Sequence, residues 1–178
     1  VSALAELRMA KDAIELDLLR SACAASDAAL AEVLSRMHPG VTEREVARWI
    51  DDGLRGRSEG PGFDTIVAAG PNGAVPHHQP TDRPLEPGDL VTMDFGARVG
   101  GYHADMTRTV VVGGVAADWQ QEIYDVVRRA QQAGVDALGV ERAAAEVDAT
   151  ARQVVVDAGY GEAFGHGLGH GVGLQIHE

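Results

Sequence analysis

Two strand-forming runs flank a glycine-rich turn near the middle of the chain, and this pattern constrains the fold more than any other. The first run, LVTM, leads into Asp94, and the second, TRTVVV, follows Asp105 and Met106. Runs rich in β-branched residues favour strands, whereas Gly96, Gly100 and Gly101 between them favour a tight turn. The sequence therefore predicts a β-hairpin at this point.

The register of that hairpin decides how its two acidic residues meet. A turn centred on Val99–Gly100 would place Asp94 directly opposite Asp105. Side chains in that relation have Cβ atoms about 4.5–5.5 Å apart, so two carboxylates repel unless one is protonated or a cation lies between them. Because the flanking runs are too apolar for an ordinary solvated hairpin, we favour a metal-binding pair. The alternative is a pair of exposed acids on an edge hairpin with a different register.

A second informative stretch, FGHGLGHGVGLQIHE, carries five alternating glycines near the C-terminal end. His166 and His170 are four residues apart, a spacing that would place two ligands on one face of a helix. Each glycine costs a helix about 1 kcal/mol relative to alanine, however, so we expect an extended segment with both histidines on one side. Its bare backbone would admit a ligand closely. A flexible linker is the alternative, which the interleaved Leu, Val and Ile residues disfavour.

Hydrophobic periodicity predicts the remaining elements. Helices are expected at 10–37, from a capping box at Thr42–Glu45 through Leu54, at 117–138 and at 142–158, and a strand at 63–69. Cys23, Trp49 and Trp119 lie on helix faces and are expected in the core. The order helix, helix, sheet over 11–112 begins again over 117–178, where the second unit is about 40 residues shorter. The order favours an internal repeat whose second half is incomplete.

Composition excludes several classes of function. The formal net charge of −12 disfavours nucleic acid or an anionic membrane as a partner. The lone Cys23 cannot form an internal disulfide, no apolar run reaches the ~20 residues of a membrane span, and no signal peptide is visible. A cytoplasmic location is expected. The chain begins at Val1 and ends at Glu178 without a terminating turn, so we expect a piece of a longer protein.

Carboxylates from the hairpin and imidazoles from two glycine-rich segments suggest one metal site. The other segment, GPNGAVPHH, carries His77 and His78, for which a surface location is the alternative. Mixed carboxylate and imidazole ligation without thiolate suits manganese, cobalt, zinc or iron. Bridging carboxylates favour two metals, which activate a shared water for hydrolysis. The charge of two Asp is −2 against +4 for two divalent ions, so further carboxylates are expected.

The motifs VTMDFGA, GYHADMTRT and HGLGHGVGLQIHE resemble those of the pita-bread metallopeptidases, in particular the Xaa-Pro aminopeptidase and prolidase branch. The N-terminal LRMAKDAIELDLLRSA is similar to the start of that family's catalytic domain, so the resemblance covers nearly the whole chain. It implies an α+β pita-bread fold with pseudo-twofold helix–helix–sheet halves, the second incomplete. Residues 1–178 would be the metallopeptidase catalytic domain, lacking roughly the last 40 or more residues and any N-terminal domain.

The resemblance also implies a role for each site residue. In that family two Asp, one His and two Glu bind two divalent ions, most often manganese in this branch, with cobalt or zinc as alternatives. The matching ligands are Asp94, which chelates one ion, Asp105, which bridges both, and His170. His77 and His177 match the catalytic imidazoles that position the scissile carbonyl and stabilise the tetrahedral intermediate.

His166 matches a substrate-binding histidine of the Xaa-Pro branch. The implied activity is hydrolysis of the N-terminal peptide bond, above all in Xaa-Pro peptides, by a hydroxide activated by two metals. The expected partner is a short peptide, a homodimer is compatible, and neither nucleic acid nor membrane is expected. The family's two Glu ligands would lie beyond Glu178, so we expect the segment alone to be inactive.

Two other functions remain open at this point. Methionine aminopeptidases share the Asp, Asp and His ligands, although the HGLGHGVG form, with His166 and His170, favours the Xaa-Pro branch. A non-catalytic binding module with the same fold is the alternative from another class. Such modules usually lose the metal ligands, whereas Asp94, Asp105 and His170 are all present.

Overall fold

The computed structural model describes residues 3–178, which form two compact units. The first contains residues up to Val115 together with Gly171–Glu178, and the second is Ala116–His170. The helices are α1 (Ala3–Met9), α2 (Ala13–Leu34), α3 (Glu43–Arg55), α4 (Asp118–Ala137) and α5 (Ala144–Asp157). The strands are β1 (Ile66–Ala69), β2 (Leu90–Phe95), β3 (Arg98–Val99), β4 (Tyr102–His103) and β5 (Met106–Val111). Short 3-10 turns occupy Gly70–Ala74 and Gly161–Ala163.

The predicted capping box sets the start of α3. The Thr42 hydroxyl accepts a hydrogen bond from the Glu45 N–H at 3.2 Å, and the Glu45 carboxylate accepts one from the Thr42 N–H at 2.8 Å. These bonds satisfy N–H groups that the first helical turn leaves without a backbone acceptor. Asp12 and Glu15 form the same device at the start of α2, so that helix begins at Ala13 instead of Ala10.

The first unit is built on a three-stranded antiparallel sheet with the order β1–β2–β5. Side chains alternate along β2, so that Val91, Met93 and Phe95 are fully buried while Asp94 is half-buried on the other face. The buried face packs against α2 and α3, which contribute the core residues Ala22, Ala29, Leu30, Val33, Val46, Ile50 and Leu54. Burial of one large apolar side chain contributes about 1.5–3 kcal/mol. The core therefore fixes which face of the sheet carries Asp94.

The predicted hairpin is present, but its predicted register is wrong by two residues. Asp94 pairs with Thr107, and Val99 pairs with Tyr102. The turn is centred on Gly100 and Gly101, whose φ angles are 57° and 83°. The tightest hairpin turns of this kind need positive φ at both central residues, which two glycines adopt freely and a β-branched valine does not. A turn at Val99–Gly100 would have placed Val99 in that region.

The arms of the hairpin approach closely at Gly96. A Cβ atom there would overlap the carbonyl oxygen of Ala104, so only glycine fits. The next residue, Ala97, donates its N–H to the buried Ser26 hydroxyl at 3.0 Å, and Ser26 in turn donates to the Ala22 carbonyl in α2. The base of the hairpin is thus fixed to α2 by hydrogen bonds as well as by apolar packing.

The second unit is a helical pair whose packing depends on small residues. A Cβ at Gly134 in α4 would lie 3.4 Å from the Cβ of Ala151 in α5. The bounds of both helices agree with the prediction to within two residues. Trp119, expected in the core, is instead 58% exposed in the first turn of α4, because the buried face of that helix is formed by Gln120, Val126, Ala130 and Gly134.

Two further core predictions concern the first unit. Cys23 is exposed, since the buried stripe of α2 passes through its neighbour Ala22. Trp49 packs only partly against the core, and the Arg36 guanidinium lies 4.2 Å from its ring centroid. Within residues 3–178, no helix is long and apolar enough to cross a membrane.

Candidate functional site

The half-buried Asp94 lies on the sheet face opposite the core. Its direct neighbour in β5 is Thr107, so Asp105, two residues earlier, takes the diagonal position. Diagonal neighbours have Cα atoms about 7–8 Å apart and side chains that can still touch. The two carboxyl groups do interact, because the charge of Asp105 and a hydrogen bond with it both raise the pKa of Asp94. The hairpin therefore brings the two predicted acids together in a register other than the predicted one.

Burial is the largest cause of the raised pKa of Asp94, and the Asp105 charge adds to it. A hydrogen bond with Thr107 and the charge of His77 act in the opposite direction without cancelling the rise. The Asp94 Oδ1 atom is buried and has no hydrogen-bond partner among the described residues. A buried oxygen without a donor, beside a second carboxylate, is an unfavourable arrangement that a bound cation would relieve. The donor set thus fits a hard or borderline divalent ion.

The charge of His77 lowers the pKa of Asp94, so His77 lies within range of an electrostatic interaction with Asp94. The residue is exposed and has a φ angle of 55°. Among non-glycine residues such angles are uncommon, and they cluster at functional sites. Its neighbours in the loop are exposed from 73 to 77, so the loop itself offers His77 little packing.

Hydrogen bonds to Glu43, a residue that the sequence analysis missed, hold this loop in place. Glu43, the first residue of α3, is fully buried, and its carboxylate accepts five hydrogen bonds from residues 69–81. One of them comes from His78, which had no predicted role, with Nε2 2.9 Å from Glu43 Oε2. Burial alone would raise the pKa of Glu43, but the hydrogen bonds outweigh it and lower the pKa to about 2. The carboxylate is therefore ionised and only accepts, so His78 must carry its proton on Nε2.

His177 is exposed and belongs to the first unit, in the segment Gly171–Glu178. That segment docks on β4, because the Gly173 carbonyl accepts hydrogen bonds from the His103 N–H at 2.9 Å and from its Nδ1 at 3.0 Å. A further bond from the Glu178 N–H to the Gly171 carbonyl closes the segment into a loop. The buried His103, also missed from sequence, thus anchors the segment that carries His177.

His166 and His170 are exposed and close the second unit. Residues 164–178 form neither helix nor strand, so the exclusion of a helix is confirmed while no strand forms. Arg152 in α5 donates to the Phe164 and His166 carbonyls at 2.7 Å each. Asp148 accepts from the Leu168 N–H at 2.7 Å. The glycine-rich segment is therefore held by hydrogen bonds to α5, unlike a free linker.

Among the described residues, no three His, Cys, Asp or Glu side chains are grouped closely enough to hold a metal ion. The structure therefore supplies an acidic pair with His77 nearby in the first unit and two histidines in the second. Of the predicted ligands, Asp94 and Asp105 belong to the first unit and His170 to the second.

Known proteins match the chain over nearly its whole length. Residues 17–178 match the family described as metallopeptidase family M24. An Xaa-Pro dipeptidase of Pyrococcus furiosus is 40% identical over 174 residues, which are 97% of this chain and 50% of that protein. The solved structure of an Xaa-Pro dipeptidase from Bacillus anthracis matches with a TM-score of 0.95 and 41% identity, over 100% of this chain and 50% of its own. An X-Pro aminopeptidase from Thermotoga maritima matches with a TM-score of 0.95 and 37% identity, over 98% of this chain and 50% of its own.

These matches bear on the fold and on the extent of the chain. The predicted α+β pita-bread fold is confirmed by the close structural matches. The chain spans about half the length of the curated relatives it matches.

Proposed function

The chain belongs to metallopeptidase family M24, and from that premise we propose that it forms part of an enzyme that hydrolyses the N-terminal bond of Xaa-Pro peptides. The observation that carries the proposal is the acidic pair, in which Asp94 has a raised pKa and a buried oxygen without a hydrogen-bond donor beside Asp105. The names of the relatives, Xaa-Pro dipeptidase and X-Pro aminopeptidase, support the substrate class.

In this proposal Asp94, Asp105 and His170 are metal ligands, and the site takes two divalent ions, with manganese favoured over cobalt or zinc. Bound ions would supply a water of lowered pKa and polarise the scissile carbonyl. The hairpin fixes the two carboxylates relative to each other before any ion arrives, because its register is set by the Gly100–Gly101 turn and by the core below β2. The two carboxylate ligands would therefore already be in place when the ions bind.

The histidines have the task of holding the substrate. His77 presents an exposed imidazole near Asp94, and its proposed role is to donate a ring N–H to an oxygen that gains negative charge during the reaction. His177 has the same proposed role from the segment anchored by His103. His166 is proposed to contact the peptide in its binding pocket.

The proposal includes the extent of the chain and its setting. Because the chain spans about half of its relatives, we place two Glu ligands and further sheet strands outside it, and regard residues 1–178 as inactive by themselves. We retain the expectations of a cytoplasmic protein that acts on short peptides, binds neither nucleic acid nor membrane, and is compatible with a homodimer.

Titration of manganese into the 178-residue chain, followed by calorimetry and by assay of Xaa-Pro cleavage, tests these points. We expect weak binding that Asp94→Asn abolishes, and no cleavage by the chain alone. A form extended to the length of the relatives should cleave Xaa-Pro peptides and leave N-terminal methionine peptides intact. Preference for methionine peptides would favour the methionine aminopeptidase alternative, and absence of metal binding in the extended form would favour the binding module.

A further inference from the structure

The segment that carries His77 is pinned on both sides by one buried carboxylate. Before His77 in the chain, Glu43 Oε1 accepts from the Ala69 N–H at 2.8 Å and from Asn72 Nδ2 at 2.9 Å. After His77, Glu43 Oε2 accepts from His78 Nε2 at 2.9 Å and from the Thr81 N–H and hydroxyl at 3.0 and 2.7 Å. Each oxygen of Glu43 thus holds one side of the loop.

The start of α3 adds two more bonds of the opposite polarity. The Glu43 and Arg44 N–H groups, which have no acceptor within the helix, donate to the Arg83 and Thr81 carbonyls at 3.1 Å each. The carboxylate also lies at the end of the helix where the peptide dipoles favour negative charge. One helical turn therefore binds the loop through both its backbone and its first side chain.

Little else restrains the loop near His77. Residues 73–77 are exposed, whereas His78 has only 12% of its side chain exposed and directs its ring to Glu43. The backbone of His78 continues directly from His77, so the position of one ring limits where the other can lie. Loss of the carboxylate would leave several buried donors without an acceptor, which makes local opening of the loop favourable.

We propose that Glu43 is a positioning residue, which acts through His78 and the flanking bonds to hold His77 in place near Asp94. The inference rests on the proposed function, because it takes from it that His77 contacts the substrate. The two histidines then divide their tasks: His78 is a structural anchor with a fixed tautomer, and His77 is the group that faces the reaction.

Amide hydrogen exchange in the 178-residue chain tests the anchoring without any need for activity. Glu43→Gln keeps the shape of the side chain but replaces one acceptor oxygen by an N–H₂ group. Because the remaining oxygen can serve only one side of the loop, we expect exchange at the Ala69 amide, at the Thr81 amide or at both to rise by roughly tenfold to a hundredfold, with that of Val110 in β5 unchanged. Glu45→Gln is the matched control, since it removes the same charge from the same helical turn, and Gln can replace Glu in the capping box. Equal acceleration at all three amides, or none at Ala69 and Thr81, would overturn the inference.

A double-variant cycle in a form that cleaves Xaa-Pro peptides tests the link to His77. If Glu43 acts through His77, Glu43→Gln should lower kcat about tenfold or more with KM little changed, and should lose nothing further in the His77→Ala background. Losses that multiply would overturn the inference while the proposed function stands. Full activity of His77→Ala would overturn the inference together with the substrate-holding role proposed for His77, while Xaa-Pro cleavage itself would stand. Partial recovery in Glu43→Asp, which keeps the charge, would support positioning.

Discussion

Asp94 lies opposite Thr107 across the sheet, and Asp105 reaches it from the diagonal position. The wider spacing of a diagonal pair leaves room for an ion between two carboxyl groups that still influence each other. Without an ion the same arrangement is unfavourable, since burial and the Asp105 charge both raise the pKa of Asp94. We therefore expect the acidic pair to lower the stability of the metal-free fold and to favour binding of a metal ion.

The first prediction concerns the effect of the acidic pair on the stability of the metal-free chain. Asp94→Asn should stabilise the metal-free chain by roughly 0.2–1 kcal/mol at neutral pH, because it removes one of two neighbouring like charges. An acid with a raised pKa favours the folded state only when protonated, so the gain should shrink as the pH falls and Asp94 takes up its proton. Urea unfolding at neutral and acid pH measures it. Exposed Asp82 offers a control, as Asp82→Asn changes the same charge away from the pair, and the exposed ion pair with Arg44 that it loses contributes at most about 1 kcal/mol. Destabilisation at neutral pH by Asp94→Asn alone would contradict the prediction.

A second prediction concerns acid and the Glu43 carboxylate. Its pKa is lowered from 4.5 to about 2, so it stabilises the folded state above about pH 4.5 and loses this effect as the pH falls through about 2. At about 1.4 kcal/mol per pH unit, the full contribution is roughly 3 kcal/mol. Urea unfolding of the parent chain and of Glu43→Gln should therefore differ most near pH 6 and converge near pH 2.

Several charged groups near Glu43 could blur that pH profile. His78 contacts it, and Arg83 and Asp89 interact with it through space. The Asp89→Asn variant separates the titration of Asp89 from that of Glu43, because it removes the other acid of this cluster whose pKa is lowered. A pH profile in which Glu43→Gln and the parent chain stay parallel down to about pH 2 would show that the carboxylate does not contribute as described.

A third prediction concerns the closest approach within the hairpin. Gly96→Ala should destabilise the chain by about 1–3 kcal/mol, because its Cβ would overlap the Ala104 carbonyl oxygen and neither backbone can move without breaking the ladder. Faster exchange of the Ala104 amide, which donates to the Ala97 carbonyl at 2.9 Å, would locate the damage. Gly114→Ala is the control, since a Cβ there meets open space and its effect should stay within about 1 kcal/mol.

A fourth prediction concerns the anchor of the His177 segment. His103→Ala removes the Nδ1 bond to the Gly173 carbonyl but keeps the backbone bond, so we expect local loosening without global unfolding. Loss of one hydrogen bond of this kind should accelerate exchange of the Glu178 amide roughly threefold to tenfold. The exposed His38 provides a control, because it lies far along the chain and its ring hydrogen-bonds to the carbonyl of its own neighbour Pro39. Equal exchange in the two variants would assign the anchoring to the backbone bond and to the ion pairs of Glu178 with Arg8 and Lys11.

Local signals in the sequence predicted the elements well. The Thr42–Glu45 capping box and the helical periodicity of 118–137 and 144–157 depend on residues three or four apart, which one chain segment reveals. The hairpin register was also within reach, since Gly100–Gly101 is the pair that can adopt two positive φ angles. A turn placed at these two glycines, instead of at Val99–Gly100, predicts the observed pairing of the strands.

Other features depend on partners that no local pattern reveals. In the sequence, Glu43 is indistinguishable from an ordinary acid in the first turn of a helix. Its role is not visible locally, because its carboxylate oxygens accept hydrogen bonds from residues 26–38 positions further along the chain. Cys23 and Trp119 were misplaced since periodicity identifies an apolar face but not what covers it. The assignment of His170 and His166 comes from motif resemblance, and their roles stay predictions.

Because side chains alternate along β2, this one short strand contributes both to the core and to the acidic pair. Val91, Met93 and Phe95 complete the core, and between them the intervening positions present Thr92 and Asp94 to the other face. Loss or gain of a single residue within the strand would exchange the two sides, placing a carboxylate among apolar side chains and phenylalanine at the acidic pair. Substitutions within this strand can therefore be tolerated during evolution, whereas insertions and deletions cannot.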